Sequence, residues 1–140
     1  MQNKKKLIVI VGPTAIGKTT LSVSLAKYFN CEILSADSRQ FYKEMEIGTA
    51  KPTPSEMDGV PHHFVNNLSI HENYTAGQFE IDAIKKLKQL YQKDDYAILV
   101  GGSGLFVNAV CFGLDDIPGD LEIRKQLIKE FETDGIETLQ

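Results

Sequence analysis

The unbroken apolar run Leu7-Ile8-Val9-Ile10-Val11 leads straight into Gly12-Pro13-Thr14-Ala15-Ile16-Gly17-Lys18-Thr19, and this junction constrains the fold more than any other stretch. A strand with no polar alternation asks to be buried on both faces, as in a parallel sheet. Gly12 and Gly17 permit a tight turn in which successive N–H groups face inward as an anion-binding nest. Lys18 adds a point charge for the outer phosphate and the Thr19 hydroxyl is a ligand for Mg²⁺. The helix expected to start here turns its positive end toward the same anion. Two linked phosphates are the expected ligand, held by Gly12, Pro13, Thr14, Ala15, Ile16, Gly17, Lys18 and Thr19.

The same pattern of strand, turn and helix returns further on. Leu21, Val23, Leu25, Ala26 and Phe29 form a helical stripe closed by Asn30, and Cys31 to Ser35 reads as a second strand. Ala36-Asp37-Ser38-Arg39-Gln40 follows at its C-terminal end, the edge where open α/β sheets bind ligands. From Phe41 to about Asn73 the breakers Gly48, Pro52, Pro54, Gly59 and Pro61 interrupt any period, which predicts a long loop, functional or mobile. Thr75-Ala76-Gly77-Gln78 fits a capping box ahead of the stripe Phe79, Ala83, Ile84, Leu87, Leu90 and Tyr91. Tyr96 to Val100 is another buried-type strand, ending in Gly101-Gly102-Ser103-Gly104 before the apolar stretch Leu105 to Phe112. An amphipathic segment runs from Leu121 to Phe131. The expectation is an α/β fold, a three-layer α/β/α sandwich of the P-loop NTPase type with a mainly parallel sheet that is incomplete at its C-terminus.

Composition removes several function classes. A chain of 140 residues with a net charge of -4 fits one domain and argues against nucleic-acid binding by bulk electrostatics, so any RNA site must be local. Cys31 and Cys111 lack CxxC spacing and suit reduced thiols better than a disulfide or zinc framework. The basic start from Met1 to Lys6 precedes an apolar run too short for a signal peptide or a membrane span, which points to the cytoplasm and to no membrane partner.

Among candidate chemical groups, Asp37 is the carboxylate best placed to face the phosphate loop, either as a base for an acceptor group or as the side chain of an Asx-turn. Lys51 either supplements the anion site or is solvated. His62 and His63 lack a third ligand at metal spacing and read as structural histidines. Gly101 to Gly104, on the same sheet edge as the phosphate loop, either approaches a ligand through its backbone or is a plain tight turn. The strand before it carries no acidic residue at its tip, where many NTPases hold magnesium with an aspartate.

The ordered blocks Gly12 to Thr19, Asp37-Ser38-Arg39-Gln40-Phe41-Tyr42, Gly48-Thr49-Ala50-Lys51-Pro52, His62-His63-Phe64, Tyr74-Thr75-Ala76 with Phe79, and Gly101-Gly102-Ser103-Gly104-Leu105-Phe106 resemble those of the tRNA dimethylallyltransferases. The resemblance implies transfer of a dimethylallyl group from dimethylallyl diphosphate to N6 of the adenine just 3′ of a tRNA anticodon, with Mg²⁺ and release of diphosphate. It makes Asp37 and Thr19 catalytic, with Thr19 on the metal. Asp37, Ser38, Arg39, Gln40, Ser103 and Lys125 become positions that touch the tRNA anticodon stem-loop, whose target base must be flipped from its stack. It also divides the chain into a catalytic core, 1–114, and the start of a helical tRNA-binding insertion, 115–140, within an enzyme that works as a monomer. Thr and Tyr are commoner in the family where this chain has Ser103 and Phe106. Family members are longer, and their later segments include an arginine that helps bind the diphosphate, so the chain reads as the N-terminal part of such an enzyme. A small-molecule or nucleotide kinase, a prenyltransferase acting on free adenine nucleotides, and an inactive diphosphate-binding fragment stay open as alternatives.

Overall fold

The computed structural model describes residues 4–13, 15–45, 51–113 and Lys129. Thr14, the start of the Gly48 to Pro52 block, Lys125, the segment 115–140 and its amphipathic stretch, apart from Lys129, lie outside the described residues. Eight elements follow one another: β1 (Lys6–Val11), α1 (Lys18–Phe29), β2 (Ile33–Ser35), α2 (Pro54–Met57), β3 (His62–His63), α3 (Ala76–Leu90), β4 (Tyr96–Gly101) and α4 (Gly104–Phe112).

The strands form one sheet in the order β1-β4-β2-β3, and every pairing is parallel. Alternation along the strands sends side chains to two opposite faces. Ile10, Ile33 and Ile98 meet Val23 and Ala26 of α1 on one face, with Cys31 and Val60. Leu34, Ala97 and Leu99 meet Phe79, Ala83, Leu87 and Leu90 of α3 and Val107 and Val110 of α4 on the other. Register puts Ile33 beside Ile98 and Leu34 beside Leu99, so the two cores are consecutive layers of the same residue rows. The three-layer parallel arrangement expected from the strand sequences is thus present. Among the described residues β1 has β4 as its one neighbour and exposes Val9 and Val11. No described helix is long and apolar enough to cross a membrane.

Four elements depart from the sequence reading. The Leu7 to Val11 run, expected to be buried on both faces, forms β1 at the edge of the sheet among the described residues, with Val9 and Val11 exposed. Residues Cys31 and Glu32 are not strand: Asn30 takes a left-handed φ of 51°, and the Cys31 N–H donates to the Ala26 carbonyl at 2.9 Å. The chain is still closing α1 there, the usual means of satisfying the last helical carbonyls. The supposed long loop contains α2 and β3. A full capping box, Thr53 with Glu56, starts α2 beside Pro54, and Pro61 leads into β3, which pairs with β2. Both elements are too short for periodicity to reveal. Conversely, the box expected at Thr75 is half formed: Thr75 Oγ1 accepts from Gln78 N at 3.1 Å, while the Gln78 amide reaches Asp82 Oδ1 at 3.1 Å.

Aromatic packing fixes the long connection to the sheet. Phe41 is fully buried, lies 5.2 Å from Phe79 and 5.4 Å from Phe106 between ring centroids, and meets Tyr74 edge-on. The Tyr74 hydroxyl donates to Asp82 Oδ2 at 2.7 Å. Several residues that carry the family resemblance therefore act by holding the segment after Asp37 against α3 and α4.

Candidate functional site

The phosphate loop leaves β1 and re-enters helix at α1. Ala15 and Gly17 both take left-handed backbone, with φ of 65° and 96°. A Cβ on Gly17 would meet nothing, so the glycine serves the conformation and not the space. The Lys18 ammonium donates to the Gly12 carbonyl at 2.7 Å and to the Pro13 carbonyl, stitching the loop closed while leaving donor capacity for an anion. α1 has no side-chain cap and no acidic residue in its first turn, whereas α2 and α3 are capped by Thr53 and Thr75. Its leading N–H groups stay available at the positive end of the helix dipole.

A cavity of about 290 Å³ opens beside this loop at the C-terminal edge of the sheet. Ala15, Gly17, Lys18 and Thr19 form its phosphate side, Asp37 and Gln40 come from the turn after β2, and Val100 and Gly101 close it at the end of β4. Gly12, Pro13 and Ile16 belong to the loop but do not line the cavity; Ile16 is exposed. Ser38, Arg39 and Ser103 also lie off the lining. Ser38 and Ser103 nevertheless form one unit: the Ser38 N–H donates to Ser103 Oγ at 3.1 Å, and the two hydroxyls are 3.3 Å apart. That bond ties the turn after β2 to the N-terminus of α4 beside the cavity.

Asp37 builds a local turn and also lines the cavity. Its Oδ1 accepts from the Arg39 N–H at 3.0 Å and its carbonyl accepts from Gln40 N at 3.0 Å, so it builds the local turn. Its second carboxylate oxygen has no partner among the described residues, on a side chain that lines the same cavity as Lys18 and Thr19. Ser35, 2% exposed, donates to Gln40 Oε1 at 2.9 Å and orients that carboxamide.

Glu56 and His62 were not legible as site residues. Lys51, expected either to supplement the anion site or to be solvated, donates to the Tyr42 carbonyl at 2.5 Å and to Asn66 Oδ1 at 2.7 Å, and with Pro52, Glu56 and His62 it lines the same cavity as Lys18 and Thr19. The short α2 brings Glu56 there and β3 brings His62; neither element had a sequence signal beyond Thr53-Pro54-Ser55-Glu56. The histidine pair splits. His63 Nε2 donates to Glu32 Oε1 at 2.9 Å, and Lys93 binds the other oxygen of the same carboxylate. His62 Nδ1 lies 2.8 Å from the Val60 carbonyl. Among the described residues no group of three or more His, Cys, Asp or Glu side chains could hold a metal ion.

These contacts set a pH dependence. Burial lowers the His62 pKa from its ordinary 6.5, and the neighbouring His63 pushes the same way against the Val60 carbonyl. Burial alone would raise the Glu32 carboxyl, but hydrogen bonds from Lys93 and His63 outweigh it and hold the group below 4.5. Both groups bind protons more readily in the unfolded chain, so both contribute stability that is complete at neutral pH and lost in acid. The His62 share disappears as pH falls from 6.5 toward its lower folded value, and the Glu32 share as pH falls below 4.5. Urea unfolding of the parent should therefore show stability declining already between pH 7 and pH 5. His62→Asn should flatten that part of the curve, and an unaltered slope would contradict the assignment.

Comparison with known proteins follows this geometry. A family model described as IPP transferase matches residues 40–140. The chain is 53% identical over 137 residues to the tRNA dimethylallyltransferase of Flavobacterium johnsoniae, covering 97% of this chain and 44% of that protein. It is 55% identical over 135 residues to that of Christiangramia forsetii, covering 96% and 45%. Among solved structures it is similar to the full-length tRNA isopentenylpyrophosphate transferase of Bacillus halodurans, with TM-score 0.76, 44% identity, and coverage of 97% of this chain and 46% of that one. It is also similar to a eukaryotic dimethylallyltransferase acting on tRNA, with TM-score 0.74, 34% identity, and coverage of 94% and 33%. The chain thus spans less than half the length of the relatives it matches.

Proposed function

Because the chain belongs to the IPP transferase family, we propose that it carries the phosphate loop and the acceptor-facing turn of a tRNA dimethylallyltransferase. The reaction joins C1 of dimethylallyl diphosphate to N6 of the adenine just 3′ of the anticodon and releases diphosphate. The observation that carries this reading is the convergence of Lys18, Thr19 and Asp37 on one cavity, between an uncapped helix N-terminus and the end of the sheet. Donors fixed on one side of the cavity stabilise charge as it develops on the departing diphosphate. Asp37 accepts a hydrogen bond from the adenine amine, raises its nucleophilicity and takes the proton it loses when the new C–N bond forms. Ser38, Arg39, Gln40 and Ser103 position the RNA around it, and Lys125 is assigned the same task.

Mg²⁺ fits this site. The Thr19 hydroxyl, an oxygen donor of the kind magnesium takes, lines the cavity with Lys18, and a site with few protein ligands is ordinary where phosphates complete the shell. When bound, the ion would neutralise charge on the leaving diphosphate. A tRNA substrate supports a cytoplasmic location. The kinase and free-nucleotide readings find no support among the relatives, each of which is named for action on tRNA.

The test is a chimaera in which this chain replaces the matching 44% of the Flavobacterium johnsoniae relative. It should transfer label from dimethylallyl diphosphate to an anticodon stem-loop bearing adenine at the target position, and not to one bearing another base there. A folded chimaera inert beside an active parent relative would overturn the proposal.

A further inference from the structure

His62 lines the cavity, and this mechanism leaves its chemistry unused. Its Nδ1 faces the Val60 carbonyl at 2.8 Å, and a carbonyl only accepts, so Nδ1 carries the ring proton. In the neutral ring Nε2 is then a lone-pair acceptor. Burial favours that neutral form. Nε2 is closed off from solvent and has no partner among the described residues. Buried polar atoms without a partner are rare enough that each calls for a specific cause.

Among the described residues no donor lies within hydrogen-bond distance of Nε2. The Ser35 hydroxyl donates to Gln40, the Ser22 hydroxyl to the Thr19 carbonyl at 2.8 Å, the Lys51 ammonium to Tyr42 and Asn66, and the Lys18 ammonium to the Gly12 and Pro13 carbonyls. Asp37 and Glu56, also on the lining, are acceptors when ionised. A donor brought by a ligand would satisfy Nε2. We propose that His62, through Nε2, accepts one N–H of the amino group of the incoming adenine and is a specificity-determining residue for the base.

This inference rests on the functional reading above. The exocyclic amine carries two hydrogens; Asp37 receives one and His62 the other, reached by a small turn of the ring toward the cavity it lines. A base with an oxo group at that position, as in inosine, sets one acceptor against another and is rejected.

The experiment uses the chain itself, with Mg²⁺ and inorganic diphosphate held in excess so that the phosphate loop is filled. Nitrogen-15 NMR of the unmutated protein should find the His62 ring protonated on Nδ1, with an Nε2 resonance that moves on adding adenosine and not on adding inosine. His62→Asn keeps a donor for Val60 and removes the acceptor at the reach of Nε2, so the ratio of adenosine to inosine affinity should fall by roughly tenfold, the worth of one neutral hydrogen bond. His62→Gln, which restores an acceptor at that reach, should recover part of the ratio. An Nε2 resonance indifferent to adenosine, or a His62→Asn ratio within twofold of the parent, overturns the assignment. Titration of diphosphate alone separates the two levels: its failure to bind would sink the functional reading, whereas diphosphate binding without base discrimination would sink only the role of His62.

Discussion

Gly101→Ala should destabilise the protein by about 3 kcal/mol or more, the upper range for a group forced into filled space. A Cβ built there would lie 2.4 Å from the Ala36 carbonyl oxygen and 2.5 Å from its carbon. Both obstacles are backbone, part of the chain leaving β2 for Asp37, and the Ala36 N–H is itself bonded to the Val100 carbonyl at 2.7 Å. The methyl group cannot be accommodated by a rotamer change; β4 and the Asp37 turn must part. With typical stabilities of only about 5 to 15 kcal/mol, that is a large fraction of the total. Gly102→Ala is the matched control, because its Cβ would sit 3.8 Å from the Gly12 carbonyl oxygen, at ordinary contact distance. Urea denaturation of both variants is the measurement. A Gly101→Ala protein within 0.5 kcal/mol of the parent would show that the close approach of these two segments does not hold the site together.

Asp37→Asn should lower the rate of prenyl transfer roughly 10²-fold or more, the contribution expected of a positioned general base. The substitution separates the two tasks of Asp37. An asparagine Oδ1 can still accept from the Arg39 N–H, so the turn and the fold should survive, while the negative charge that receives the amine proton is gone. Single-turnover label transfer in the chimaera, with thermal melting alongside, reads both tasks. A variant that melts like the parent and transfers within a few-fold of its rate would leave Asp37 with its structural role alone.

The parts legible in the sequence were those whose physics is local. The apolar runs at Leu7 and Tyr96 demanded a parallel sheet, and the glycines and Lys18 demanded a phosphate loop between strand and helix. Asp37 was found because strand ends in such sheets face ligands. What stayed hidden was assembled by tertiary contact. β3 consists of His62 and His63 and exists only because β2 lies beside it, and α2 is a single turn whose capping box sits among breakers. Glu56 and His62 therefore could not be placed next to the loop from spacing alone. Phe41, Phe79 and Phe106 were noticed as residues of a family pattern, yet only their ring contacts show that they pack the segment after Asp37 in place.

The claim on which the rest depends is that the cavity beside α1 holds a diphosphate through the loop, with Lys18 supplying charge. Calorimetric titration of the chain with inorganic diphosphate and Mg²⁺ tests it most directly. The account predicts saturable binding to the parent, weakened by about 1.5 to 3 kcal/mol in Lys18→Ala and by a comparable amount in Thr19→Ala, the range for hydrogen bonds to charged groups. No binding by the folded parent, or equal affinity in the parent and both variants, would contradict it.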